Sequence, residues 1–394
     1  MKKKILFVIP SLSSGGAEKS LVSVLKLFDY SRYDVDLFAF KAKGLFIDKI
    51  PDSVTVYDAG ENFGYFDGDI KKAIAFFLKK GRPDLAAARI AYALALKSGD
   101  SYARETKSWE LMKKAVSFEY KKYDCVIGYL EGTADWFAGE YPYADKKIGY
   151  MHSYLDKTDS DKKHFGEVVS RFDYFVAVSD ECEQNLKKEY PDYGGFTVIH
   201  NIVSPTLIKD ELTGEKLPDS DGALKLLTVG RLSHEKGPDI AVRACAALKE
   251  KSDSPFKWYH IGSGREKDNI VSLIKELGVE DCFILLGEKS NPYPYFADCD
   301  IYVQPSRYEG KSIAIDEAKC LYRPVVVTDF PSVYDQITDG ETGIICKTDH
   351  ESVAKGVLKL LNDGALRHKL SENLRLSEPG NESEIQKLYE LIES

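Results

Sequence analysis

Asp300-Ile301-Tyr302-Val303-Gln304-Pro305-Ser306-Arg307-Tyr308-Glu309-Gly310-Lys311-Ser312-Ile313-Ala314-Ile315-Asp316-Glu317-Ala318 reads as a strand, a turn and a helix in direct succession. The run Asp300 to Pro305 predicts a short buried strand, and Ser312 to Leu321 predicts a helix with Ile313, Ile315, Ala318 and Leu321 inward. The amides of Lys311, Ser312 and Ile313 open that helix without helical partners and carry the positive end of its dipole, which suits phosphate. Glu309 stands just before this end, and Glu317 lies about a turn and a half further along the helix. With seven residues between the two carboxylates, one ligand could be gripped at three points: phosphate on the amides and a polyol on each carboxylate.

Outward from this segment, strand-like runs alternate with helical ones through both halves, which argues parallel sheets covered by helices. In the first half strands are expected at Lys4 to Ile9, Val35 to Phe40, Val54 to Tyr57, Cys125 to Tyr129, Ile148 to His152, Phe175 to Ser179 and Thr197 to Asn201. In the second half they fall at Leu224 to Gly230, Lys257 to Gly262, Phe283 to Gly287, Ile301 to Gln304, Val325 to Thr328 and Ile344 to Cys346. Each half reads as a doubly wound α/β domain, residues 1–203 and 204–378, with the polar segment Ser204 to Gly222 as the seam. Residues 379–394 form a C-terminal helix. Residues 61–122 interrupt the alternation, because Ile70 to Lys80, Asp84 to Lys97 and Arg104 to Lys122 have helical composition and predict a helical insertion. Within it, Ala73 to Leu78 lies between lysine pairs and is followed by Ile90, Tyr92, Leu94 and Leu96. That face either packs on the domain core or meets a membrane surface.

A chain of 394 residues with 43% hydrophobic and 30% charged residues is an ordinary globular composition, long enough for two cores. No apolar run approaches the roughly 20 residues that span a bilayer, and the apolar run after Met1-Lys2-Lys3-Lys4 is shorter than a signal-peptide core, so a cytoplasmic location is expected. Seven single cysteines, odd in number and without a Cys-x-x-Cys pair, read as reduced core thiols. The net charge of -9 belongs to the second half, since residues 1–200 hold 30 Lys+Arg against 30 Asp+Glu. Residues 71–122 alone hold 13 basic and 5 acidic residues. Such a distribution argues against nucleic acid and fits peripheral docking on an anionic membrane or a phosphorylated acceptor.

Two loops have the character of diphosphate sites. Pro10 to Glu18 carries Gly15-Gly16 at a strand-to-helix turn, where glycines permit positive φ and close approach to the amides. It has neither a dinucleotide fingerprint nor a Walker lysine. Thr228-Val229-Gly230-Arg231-Leu232-Ser233-His234-Glu235-Lys236-Gly237-Pro238-Asp239 joins a strand end to a helix start, and there Arg231 can fork onto two phosphate oxygens beside Lys236.

Glu309-Gly310 with Glu317-Ala318, and Gly230-Arg231-Leu232 followed by Lys236-Gly237, resemble the motifs of retaining family-4 glycosyltransferases of GT-B fold. The Gly-Gly loop, a histidine at a strand end (His152), the Arg/Lys loop and the paired glutamates also run in that family's order. The resemblance implies two Rossmann-like doubly wound domains facing a central cleft. It also implies a nucleotide-sugar donor, UDP-linked or next GDP-mannose, and a glycan or polyprenyl-diphosphate-linked acceptor. Arg231 and Lys236 would hold the donor diphosphate, Glu309 and His152 would lie by the transferred sugar, and Glu317 would hold the ribose. Gly15, Gly16, Gly262 and Gly287 match further donor positions, with Gly287 near the nucleobase. Read without the resemblance, His152 serves equally as a structural hydrogen-bonder. Lys311 and Ser312 stand where the family commonly has an aromatic residue and glycine, and Asn201-Ile202 replaces Asn-Gly. In the family, the terminal helix often returns to the first domain.

Fixed charges at Arg231 and Lys236, with the amides of residues 311–313, could neutralise a departing diphosphate, so neither metal nor cofactor is expected. Asp34-Val35-Asp36, Asp67-Gly68-Asp69 and Asp298-Cys299-Asp300 imitate a metal-binding Asp-x-Asp but lack its surrounding fold. The alternatives are a nucleotide-sugar epimerase or phosphorylase of the same architecture, and a non-catalytic partner subunit.

Overall fold

Ile5 to Ile9 are fully buried without any alternation, the mark of a parallel strand covered on both faces. This strand, β1 (Lys3–Ser11), is an inner strand of a seven-stranded sheet with β2 (Tyr33–Lys41), β3 (Val54–Asp58), β4 (Tyr123–Gly128), β5 (Ala144–Met151), β6 (Tyr174–Ala177) and β7 (Phe196–Val198). The order is β3-β2-β1-β4-β5-β6-β7, with every pairing parallel. A second, six-stranded parallel sheet contains β8 (Leu224–Val229), β9 (Phe256–Ile261), β10 (Phe283–Gly287), β11 (Ile301–Gln304), β12 (Val325–Thr328) and β13 (Gly343–Cys346). Its order is β10-β9-β8-β11-β12-β13. All the expected strands are present, their ends moved by a few residues. This computed structural model describes residues 2–13, 15–97, 101–152 and 159–394, except the side chains of 101–103, 105 and 159–161. The chain divides into one unit of residues 1–200 with 383–394 and another of residues 201–382. The change of unit therefore falls just ahead of the polar segment Ser204 to Gly222.

Strand periodicity sorts the second unit's core onto the two faces of its sheet. Leu226, Trp258, Val303 and Val326 pack on one side. Their chain neighbours Leu227, Tyr259, Tyr302 and Val327 pack on the other. The same packing bears out the reading of reduced core thiols and adds one contact. All seven thiols are buried and free, but Cys245 and Cys282 are not isolated, because their Sγ atoms lie 3.5 Å apart.

In the first unit, α1 (Gly16–Leu27) follows β1, and α2 (Gly60–Phe66), α3 (Ile70–Lys79), α4 (Pro83–Ala95) and α5 (Ser101–Met112) lie between β3 and β4. Then come α6 (Thr133–Glu140) and α7 (Asp159–Val169). The helix expected over Arg104 to Lys122 stops at Met112, with one 3₁₀ turn at Lys113–Ala115. The reason is aromatic. Phe118 and Tyr120 both contact Phe137, with centroids 5.6 and 6.0 Å away. Residues two apart share a face only in extended chain, not in a helix. The amphipathic segment divides: Ala73 and Phe77 are fully buried, whereas Leu78, Ile90, Leu94 and Leu96 are exposed. The terminal helix Glu384–Glu393 belongs to this unit, where Tyr389 stacks on Tyr33 at 5.2 Å and Glu393 accepts the Tyr33 hydroxyl at 2.6 Å.

Glu140 ties α5 to this core. Its carboxylate accepts from Trp109 Nε1 at 3.0 Å, Lys113 Nζ at 3.1 Å and Arg171 at 2.9 Å. Burial alone pushes this carboxyl up, but Trp109, Arg171 and Lys113 outweigh it and hold it below the ordinary value. Glu140→Ala should cost about 2 kcal/mol in urea unfolding, because three donors lose one charged acceptor. Since the folded value is the depressed one, this stabilisation is present above the unfolded carboxyl's pKa of about 4.3 and disappears as pH falls through the folded value. The gap between wild type and variant should close in that acid window.

Candidate active site

Three neighbouring strands of the second sheet end on glycines. Gly230 follows β8, Gly262 follows β9 and Gly287 ends β10. The Gly230 amide donates to the Ile261 carbonyl at 3.0 Å, and that of Gly262 to Gly287 at 2.8 Å. Gly262 has a φ of 139°, and a Cβ there would collide with the Gly230 carbonyl. His260 holds the same carbonyl through Nε2 at 3.0 Å. Burial drives its pKa down to about 4, so the ring is neutral and donates that hydrogen bond. The sequence reading missed His260, although its place two residues before Gly262 was a signal.

The loops after β8 and β11 are clamped to each other. Gly237 is left-handed at φ 62°, and any Cβ there would run into the Pro305 carbonyl. Arg307 forks onto Asp239 with bonds of 2.8 and 2.7 Å and donates to the His234 carbonyl at 2.9 Å. This clamp sets Lys236 against Glu309, Nζ to Oε2, at 2.5 Å. The carboxylate also accepts from Ser306 Oγ at 2.7 Å and Gln304 Nε2 at 3.0 Å. Lys236 and Glu309, expected to grip separate parts of a ligand, are thus each other's partner.

Glu317 departs from a solvated helix position: it is 2% exposed on the helix Ile313–Cys320 and accepts the Tyr293 hydroxyl at 3.2 Å. Burial raises the Tyr302 phenol well above its ordinary value, with the charges of Glu309 and Glu317 adding to the effect. Both carboxylates thus act electrostatically on one buried tyrosine. Of the three amides expected to await phosphate, that of Ser312 is taken by Gln336 Oε1 at 3.0 Å, and Gln336 Nε2 returns a bond to the Ser312 carbonyl at 2.8 Å. Gln304, Ser306 and Gln336 carry no charge and gave no signal in the sequence.

Arg231 is different. Its side chain is 62% exposed, with Glu235 at 3.8 Å as a loose partner. Arg265, 73% exposed, approaches the other oxygen of Glu235 at 3.6 Å. Burial raises the Glu235 carboxyl, but its own amide, Ser233 and the two arginines hold it below the ordinary value.

In the first unit Gly15 caps α1 with φ −152°, so the positive φ expected of the Gly-Gly loop is not used at Gly15, and the Glu18 carboxylate occupies the space a Cβ would take. His152 follows β5, its amide donating to Glu131 Oε2 at 2.9 Å. Its buried ring lies against Tyr129 and stacks on Tyr150, with centroids 5.3 and 5.9 Å away. Burial lowers its pKa against the opposing pulls of Glu131 and the Tyr129 backbone, leaving a neutral imidazole. The Asp-x-Asp segments hold local partners: Asp36 takes the Tyr123 hydroxyl at 2.6 Å, Asp69 caps α3, and Asp298 pairs with Lys225 at 2.8 Å.

The two cations predict opposite stability outcomes. Lys236→Met strands a carboxylate whose side chain is 6% exposed and should cost about 3–5 kcal/mol in urea unfolding. Arg231→Ala should stay within about 0.5 kcal/mol of the wild type.

Residues 210–377 match the family model described as glycosyl transferases group 1. Over 152 residues the chain is 37% identical to N-acetylgalactosamine-N,N'-diacetylbacillosaminyl-diphospho-undecaprenol 4-alpha-N-acetylgalactosaminyltransferase of Campylobacter jejuni, covering 37% of this chain and 40% of that protein. Over 220 residues it is 27% identical to the lipopolysaccharide core biosynthesis mannosyltransferase LpcC of Rhizobium leguminosarum bv. viciae, covering 52% and 59%. The chain thus spans about half the length of the curated relatives it matches. Among solved structures, Anabaena Alr3699/HepE in complex with UDP aligns over 100% of both chains at TM-score 0.68 and 18% identity. S. aureus TarM in complex with fondaparinux, alpha-GlcNAc-glycerol and UDP aligns over 100% of both at TM-score 0.71 and 16% identity. Residues 210–377 accordingly belong to the glycosyl transferases group 1 family, and the chain has the two-sheet GT-B fold.

Proposed function

We propose that the chain is a retaining, metal-independent glycosyltransferase. It moves a hexosyl unit from a nucleoside-diphosphate sugar to a glycan or polyprenyl-diphosphate-linked acceptor in cell-surface polysaccharide or glycoconjugate synthesis. The observation that carries this reading is the contrast at the second sheet's strand ends: the Glu309 side chain is buried and fixed by Lys236, while Arg231, on the same loop as Lys236, reaches into solvent. UDP is the first candidate nucleotide because both solved structures named above hold it; GDP-mannose comes next.

In this reaction the bond from the anomeric carbon to the diphosphate breaks and a bond to the acceptor oxygen forms on the same face. The acceptor proton passes to the departing diphosphate. Charge grows on the diphosphate, and fixed donors are worth most there. Arg231 can leave Glu235 and fork onto two phosphate oxygens. Lys236 spends one of its three N–H donors on Glu309, which leaves two for phosphate. Because Gln336 holds the Ser312 amide, the helix start would offer phosphate the amides of Lys311 and Ile313. Glu309 and the neutral His152 would orient the sugar without acting as bases, and Glu317 would hold the ribose. Gly15, Gly16, Gly262 and Gly287 would admit the donor to the backbone.

The acceptor side of this reading includes peripheral docking on an anionic membrane from the cytoplasm. Leu78, Ile90, Leu94 and Leu96 are 45–64% exposed, and Lys71, Lys72, Lys79 and Lys80 lie in the same helical insertion. Apolar contact combined with basic charge is the usual basis for binding such surfaces.

Arg231→Ala should lower turnover about 100-fold in a donor-consumption assay, with folding intact; near-normal turnover would remove this mechanism. Saturating UDP or GDP should raise the melting temperature, by about 2.7 kcal/mol of stabilisation at a hundredfold excess over Kd. Co-flotation with vesicles containing anionic lipid should weaken in Leu94→Glu.

A further inference from the structure

Cys245 and Cys282 stand 37 residues apart in the chain, and their Sγ atoms lie 3.5 Å apart in the second unit. Cys245 sits in the middle of the helix Pro238–Lys251 and is fully buried. Cys282, 6% exposed, ends the turn between the helix Lys267–Glu276 and β10. Its amide donates to the Val279 carbonyl at 3.0 Å, and its carbonyl accepts from the Trp258 amide at 2.7 Å. A disulfide holds its sulfurs at about 2.05 Å, so about 1.5 Å of closing separates these thiols from a bond. Contact between buried thiols can be packing alone; the surroundings of Cys282 distinguish this pair.

Lys249, one helical turn beyond Cys245, donates from Nζ to the Gly278 carbonyl at 2.8 Å and to the Asp281 carboxylate at 2.7 Å. Lys257, on β9, donates to the Asp281 carbonyl at 2.5 Å. Asp281, next to Cys282, thus holds two ammonium groups against its one carboxylate. The thiolate is the nucleophilic form of cysteine, and it forms most readily at a partly exposed thiol beside fixed cations. The hydrogen bond from Cys245 is the main influence holding the Cys282 thiol below its ordinary value; Lys249 and Lys257 act with it, burial and Asp281 against it. The same bond, together with burial, pushes the Cys245 thiol up. Cys282 is therefore the attacking sulfur, and Cys245 behind it is the resolving one.

We propose that Cys245 and Cys282 form a peroxide-responsive dithiol. The Cys282 thiolate attacks one oxygen of hydrogen peroxide; the O–O bond breaks, and the other oxygen leaves with the thiol's proton as water. Cys245 then attacks the sulfur of the Cys282 sulfenic acid; the S–S bond forms, the S–O bond breaks, and hydroxide leaves with the Cys245 proton as a second water. The sulfur pair loses two electrons and the peroxide gains them. Burial restricts the oxidant to a small molecule, because a glutathione-sized disulfide cannot approach a sulfur this covered. The bond would staple the helix that follows Lys236-Gly237 to the strand that ends at Gly287. None of this rests on the transferase reading.

The test exposes the folded full chain to a small molar excess of hydrogen peroxide, removes the oxidant and unfolds the chain in urea with iodoacetamide. Peptide mapping should find Cys245 joined to Cys282 with the loss of two hydrogens and the other five of the seven cysteines alkylated. Dithiothreitol should restore all seven. Dimedone should trap a sulfenic acid on Cys282 about tenfold more in Cys245→Ala than in the wild type, and none on Cys245 in Cys282→Ala. Oxidised glutathione at the same concentration should form the bond at least about tenfold more slowly than peroxide. Circular dichroism verifies the variants' folds, and the wild-type map carries the test alone if neither folds. Absence of the linked peptide, equally fast bonding of other cysteines, trapping on Cys245 in Cys282→Ala, or equal rates with oxidised glutathione would overturn the proposal.

Discussion

A carboxylate taken out of water has to be repaid in hydrogen bonds, and Glu309 sets that demand for the second unit. It is met by donors from two places: Gln304 and Ser306 at the end of β11, and Lys236 from the loop after β8. Lys236 arrives only because Gly237 takes a left-handed conformation against the Pro305 carbonyl and Arg307 locks onto Asp239. A lone buried charge is far more costly than a paired one. The carboxylate and the clamp therefore stand or fall together, and the clamp fixes where the loops of the site lie.

With Glu309 satisfied internally, the remaining charges divide into two kinds. Glu317 is also buried, sharing Tyr302's surroundings and taking the Tyr293 hydroxyl. Such groups are held in one geometry before any ligand arrives, which is the condition under which charge is effective in catalysis. Arg231 and Arg265 are exposed and share the single carboxylate of Glu235 across more than 3.5 Å. Exposed pairs of that length contribute little to stability, so these guanidinium groups can leave for a better acceptor at small cost. The first unit offers a different case in His152, a buried neutral ring packed against Tyr129 and Tyr150.

Much of this was legible in the sequence because it is local. Continuous apolar runs identify parallel strands buried on both faces, and Ile5 to Ile9 or Val325 to Val327 could be little else. Glycine after a strand can mark a close approach of backbone to backbone, as at Gly262, where a Cβ would collide with the Gly230 carbonyl. Where local composition misled, a distant contact won. Val116 to Lys122 has helical composition, but the attraction of Phe118 and Tyr120 to Phe137 keeps it extended. Cys245 and Cys282 looked solitary at 37 residues apart, and packing brings their sulfurs together.

The sequence by itself determined the two parallel sheets and which residues stand at their strand ends, since strand periodicity, turn glycines and helix starts are properties of a few neighbouring residues. Tertiary structure alone decided how those residues are used. Lys236 and Glu309 neutralise each other, Gln336 takes the Ser312 amide, and the helical insertion closes over a cavity lined by residues from Tyr92 to Val168. Pairing across such separations depends on which side chains packing brings within about 3 Å of one another, and no short window of sequence contains that distance.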